Sequence, residues 1–226
     1  MTKATKTIIT SLVCGMLGCI LMAIGDWLMV YGDVSHSGEL YWLTEGVKSI
    51  PPEKNSLAML TAFPAIILYA AALFGIEKLI TAEKHRKIYH SITIASLTPW
   101  LCLHLFYVMI LFCFAWLSNN GFASAAYPLA EALYNQFSWI VIVSEIFMLP
   151  PYIYWFYLAV SKKTAMPKLM AIANPLTFYI LLSTVKLLPE SPLRLAFING
   201  LMSEAMLLWF GAILIWYLNN KREISK

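Results

Sequence analysis

Charge is what this chain has least of. Only 12% of its 226 residues are Asp, Glu, Lys or Arg, against 60% hydrophobic, too few to solvate the surface of a soluble globular domain. Its four cysteines, Cys14, Cys19, Cys102 and Cys113, all fall inside apolar runs. They read as small buried hydrophobes and supply neither a disulfide framework nor zinc spacing. A phosphate-binding glycine loop, a Gly-x-Ser-x-Gly elbow, a His-Glu-x-x-His pair and a Cys-x-x-Cys pair are all missing, which removes support for the common soluble chemistries. The histidines are scattered: His85 and His90 fall in one basic turn, His36 in a loop and His104 in an apolar run. No metal or cofactor is expected. The net charge of +4 sits at the ends of apolar runs, where it reads as membrane orientation, with no nucleic-acid partner.

What is present is hydrophobic length. A spanning helix needs roughly 20 mostly apolar residues to cross about 30 Å of hydrocarbon, and six segments qualify: about 8–30, 57–80, 91–117, 137–159, 169–188 and 195–218. The expectation is an all-α polytopic membrane helix bundle of six transmembrane helices, forming a single domain over 1–226, in a cell membrane. No small-x-small site interrupts the first run, so it reads as a retained helix rather than a cleaved signal. Lys3, Lys6, Lys84, Arg86, Lys87, Lys162, Lys163, Lys168, Lys221, Arg222 and Lys226 all fall on one side of a six-helix path. Since Lys and Arg are retained in the cytoplasm, both the N-terminus and the C-terminus are expected there. In the long first outer loop, Leu40-Tyr41-Trp42-Leu43 reads as an interfacial segment, and Pro51-Pro52 ends any helix before the second span. A short helix is expected near Pro128 to Tyr134.

The chemistry-bearing residues are those that membrane burial makes expensive. Asp26 closes the first run; from the helical rise it lies about 6 Å inside the outer boundary, whereas Glu145 and Glu204 lie about 12 to 14 Å in. Gly15, Gly18, Met22 and Asp26 share one helical stripe, and small residues there admit another backbone, so Asp26 should face protein. Asn135, Ser138, Ile142 and Glu145 form a mostly polar track. Trp100, His104, Tyr107 and Leu111 form an aromatic wall with one titratable ring. Lys186 follows Tyr179 and Ser183 on one face, and Gly200, Glu204 and Gly211 share another. Each acid has a plain structural alternative, a hydrogen bond that ties helices together, and Lys186 can equally snorkel to headgroups. The predicted ligand-binding set is Asp26, Trp100, His104, Tyr107, Ser138, Glu145, Lys186 and Glu204, around an outward-facing polar cavity.

Gly25-Asp26, Pro64 and above all the run from Met166-Pro167-Lys168 to Asn174-Pro175 resemble an uncharacterised family of small bacterial six-helix integral membrane proteins. That resemblance implies a fold and no mechanism. A weaker similarity, through Gly25-Asp26-Trp27-Leu28 and His104-Leu105-Phe106-Tyr107, is to lysoplasmalogenase-like membrane proteins. Three functions stay open. The preferred one is binding or transport of a small or amphipathic, cationic solute or lipid ligand. The second is a lipid-modifying enzyme using an Asp or Glu with His104. The third is a non-catalytic subunit or immunity-type partner of another membrane protein.

Overall fold

The computed structural model describes residues 3–36, 40 and 43–224; the side chains at 3, 103–105, 107, 138, 140–142, 144, 145 and 222–224 also lie outside the description. The expected interfacial residues Tyr41 and Trp42 are among those outside it. The architecture is all-α, with no strand among the described residues. Helix α1 runs over Lys3–Val30, a short α2 over Glu45–Lys48, and α3 over Pro52–Ile76 with a 3-10 turn at Glu77–Leu79. The long pair α4, Glu83–Asn119, and α5, Ala123–Val160, follows. The last third holds α6, Pro175–Leu182, with its 3-10 extension Ser183–Leu187, then α7, Pro192–Asn199, and α8, Leu201–Ile224. Among the described residues, three helical stretches are long and apolar enough to cross a membrane: Ala4–Val30, Pro52–Leu79 and Leu201–Lys221.

Local chemistry accounts for most of the boundaries. Pro52 opens α3 at the position where its missing N–H costs nothing, with Pro51 extended as the cap. The second proline therefore starts the helix that the pair was expected only to precede. Asn174 caps α6: its carbonyl oxygen accepts from the Leu176 N–H at 2.9 Å and its amide donates to the Tyr152 carbonyl at 3.2 Å. The Asn-Pro motif thus docks the start of α6 onto α5. The preceding residues, Lys168–Ala171, form a 3-10 turn instead of extending the helix, so the regular helix begins later than the apolar run does. The expected short helix near Pro128 is absorbed into α5, where Ala126 and Ala130 are buried among α2, α4 and the end of α1. That burial and the alanines favour continuing the helix over breaking it.

A two-part core fills the interior. Trp155, Trp209, Phe210, Ile213, Leu12 and Leu73 are fully buried in the larger part. The smaller part joins Met29, Val30, Leu43, Val47, Leu111 and Phe114 at the end of α1. There the chain leaves α1 through a turn in which Gly32 lies directly on Gly46; a Cβ on Gly32 would come within 2.6 Å of the Gly46 Cα. The Asp33 carboxylate accepts from the Ser35 N–H at 2.8 Å, and that bond holds its carboxyl below the usual carboxylate range. At the opposite end, an antiparallel bridge between Ile80 and Thr164 closes the base of the α4–α5 hairpin, with the Thr81 N–H donating to the Lys163 carbonyl at 2.9 Å.

α1 and α3 are antiparallel and in close contact. A Cβ on Gly18 would lie 2.7 Å from the Ala65 carbonyl oxygen and 2.8 Å from the Tyr69 nitrogen; one on Gly15 would collide with the Ala72 Cβ, and one on Gly75 with Ser11. The glycine stripe that the sequence displays is therefore the seam with α3.

Candidate functional site

Beside that seam α1 also meets α7 and α8, and a cavity of about 70 Å³ lies between them. Met22 and Asp26 come from α1, Tyr69 from α3, Trp100 from α4, Asn199 from the end of α7, and Met202 and Ser203 from α8. The volume suits a few water molecules or one small ion. Asp26 is half-buried, as expected for a residue facing protein.

Its lining is rich in acceptors. Asn199 donates one amide N–H to the Leu195 carbonyl at 2.9 Å, which leaves its carbonyl oxygen and its second N–H able to bond. Ser203 adds a hydroxyl and Asp26 a carboxylate, and among the described residues no basic side chain lines the cavity. The wall opposite is aromatic. Tyr69 stacks on Trp100 with ring centroids 5.8 Å apart and planes at 21°. Its hydroxyl is bonded to that of Tyr152 at 2.6 Å, so what Tyr69 offers the cavity is chiefly its ring.

Glu204 lies beside this cavity, one residue beyond Ser203. Its Oε1 accepts from the Trp27 indole N–H at 3.1 Å, while Oε2 is buried with no hydrogen-bond partner among the described residues. Gly200 makes the contact feasible, since a Cβ there would stand 3.1 Å from the Trp27 Nε1 and 3.2 Å from the Glu204 Oε1. The helix also breaks at that glycine, α7 ending at Asn199 and α8 beginning at Leu201. The sequence predicts one helix across this point. The Asn-Gly pair is the signal that favours the break, and the Ser191 cap with Pro192 starts α7 upstream of the apolar run.

The predicted residues are therefore distributed unevenly. Asp26 and Trp100 line one cavity, and Glu204 is next to it through Ser203. Lys186 stands apart, exposed in the 3-10 turn after α6, where its backbone carbonyl accepts from Arg194 at 2.9 Å. His104 and Tyr107 on α4, and Ser138 and Glu145 on α5, have side chains outside the described residues. Sequence reasoning passed over Tyr69 and Trp27. A tyrosine in the middle of an apolar helix was the available signal for the first; nothing local marked the second as a partner of Glu204. Among the described residues, no three His, Cys, Asp or Glu side chains gather as a metal cluster.

The chain belongs to a family of unknown function, DUF6796, whose profile matches residues 1–221. No curated protein and no solved structure matches it. The likeness to lysoplasmalogenase-like proteins accordingly rests on its two short motifs.

Proposed function

We propose that this member of a family without an assigned activity is a six-span membrane protein that binds a small cation in the Asp26 cavity, as a carrier or a sensor of that cation. The spans are α1, α3, α4, α5, α6 with its 3-10 extension, and α7–α8 taken together. Both termini are cytoplasmic, following the one-sided placement of Lys and Arg, and the membrane is a bacterial cell membrane, following the family resemblance. The three long apolar helices support the membrane reading. So do the lengths of α4 and α5, 37 and 38 residues, each more than sufficient for a crossing. In this topology Asp26 opens toward the outer side.

The observation that carries the functional reading is the lining: among the described residues it holds one carboxylate, one amide oxygen, one hydroxyl, two aromatic faces and no basic group. A carboxylate in such a setting attracts positive charge, and Trp and Tyr faces add cation–π attraction for an ammonium-type group. The small volume favours an alkali or ammonium-sized ion over the polar head of a large amphiphile. Glu204, next to the lining residue Ser203, supplies a second carboxylate held by Trp27, and among the described residues its other oxygen has no partner.

Titration of purified protein with sodium, potassium and methylammonium salts, followed calorimetrically, tests this directly. Asp26→Asn keeps the size of the side chain and removes its charge, so it should weaken binding at least about tenfold, or 1.4 kcal/mol, with the melting temperature held within a few degrees. Unchanged cation affinity in Asp26→Asn and in Glu204→Gln would sink the proposal.

A further inference from the structure

On the outward side of α1, away from the cavity, Ile24, Trp27, Leu28, Tyr31 and Lys54 line an open groove of about 270 Å³. Positions 24, 27, 28 and 31 form one helical stripe, and Ile24 and Tyr31 are 45% and 54% exposed. The walls are apolar and aromatic. The Trp27 indole N–H is already given to Glu204, so Trp27 presents only its ring. The remaining donors are the Tyr31 hydroxyl and the Lys54 ammonium.

Lys54 has no evident structural purpose. It occupies the first turn of α3, where a cation opposes the helix dipole. Among the described residues it joins none of the ion pairs, whereas nearby Lys48 is paired with Glu45 at 3.4 Å. An exposed lone cation at the mouth of an apolar channel fits a molecule with a negative head and a hydrocarbon tail. A free anion would gain nothing from the walls, and a cationic amphiphile would be repelled at the head.

We infer that this groove holds a single anionic phospholipid, its phosphate at Lys54 and Tyr31 and an acyl chain along the Ile24–Leu28 stripe. The inference rests on the membrane reading above and is independent of the cation cavity. Native mass spectrometry of the full chain in detergent, supplied with phosphatidylglycerol or phosphatidylcholine, tests it. The wild type should retain one phosphatidylglycerol and little phosphatidylcholine. Lys54→Gln should lower that retention about fivefold, the effect of the ~1 kcal/mol that one basic residue contributes beside anionic lipid. Ile24→Trp should also lower it by filling the channel, and Lys48→Gln should leave it as in the wild type. Equal retention of the two lipids, full retention in Lys54→Gln, or displacement of the lipid by millimolar inorganic phosphate would each overturn the inference. Partition on detergent removal separates the failures: wild-type protein that leaves the bilayer fraction refutes the membrane reading, and protein that stays in it without a retained lipid refutes the groove alone.

Discussion

α1 has two working faces, and they are built on opposite principles. Against α3 it presents Gly15 and Gly18, and the two backbones meet with no room for a single added carbon. Against α7 and α8 it presents Met22, Asp26 and Trp27, and the result is a cavity and one long-range hydrogen bond. One glycine on that second side is loose: around Gly211 of α8, an added Cβ would find only the Met16 Cε, at 3.8 Å, although Gly200 is held closely by Trp27 and Glu204. The first face holds the bundle by steric fit between small residues, the main source of helix association where apolar surface gains nothing from leaving water. The second face gives up packing to set polar groups around a cavity. Stability and ligand capacity are thus separated along one helix, with Gly15 and Gly18 nearer its start and Met22 and Asp26 nearer its end.

Substitutions on the two faces should therefore behave differently. The largest effect is expected for Gly18→Leu, because the obstacles are backbone atoms, the Ala65 carbonyl oxygen and the Tyr69 nitrogen, and these cannot rotate away. A loss of at least about 3 kcal/mol, the upper end of overpacking costs, should appear as failure to fold or a strongly lowered denaturation midpoint in detergent. Next comes Trp27→Phe, which keeps the ring and removes the donor to Glu204; leaving a partly buried carboxylate without it should cost about 1–3 kcal/mol. The smallest change is expected for Gly211→Ala. With open space around it and a gain in helix propensity, its denaturation midpoint should match the wild type to within about 0.5 kcal/mol. A Gly211→Ala variant as damaged as Gly18→Leu would show that the two faces do not differ in kind.

Much of the tight face was legible in the sequence and much of the open one was not. Gly15 and Gly18 at helical spacing announce a close neighbour, and as consecutive spans α1 and α3 are expected to run antiparallel. Asp26 on the same stripe was expected to face protein, and it does so at the cavity wall. The cavity's other walls required information that no local pattern contains. Tyr69 reads as packing until Trp100 is stacked on it. The break at Gly200 is hidden inside a run whose hydrophobicity is continuous, because hydropathy records length and not direction. The start of α6 shows the reverse case: Asn174 and Pro175 are strong enough cap residues to override the apolar residues before them. Of the deeper polar residues that were predicted, Glu204 meets Trp27 only through folding, since 177 positions separate them.

That separation sets a timetable. At roughly 5–20 residues per second of synthesis, Trp27 emerges on the order of ten to thirty seconds before its partner acid exists. α1 and α3 can lock together early in that interval, because their contacts are close in the chain. Asp26 and Trp27 meanwhile stand at an unfinished wall, with Asn199, Ser203 and Glu204 still to be made. The cavity closes only with the end of α7 and the start of α8, so a chain interrupted before them would hold the α1–α3 seam beside a wall that has never held a ligand.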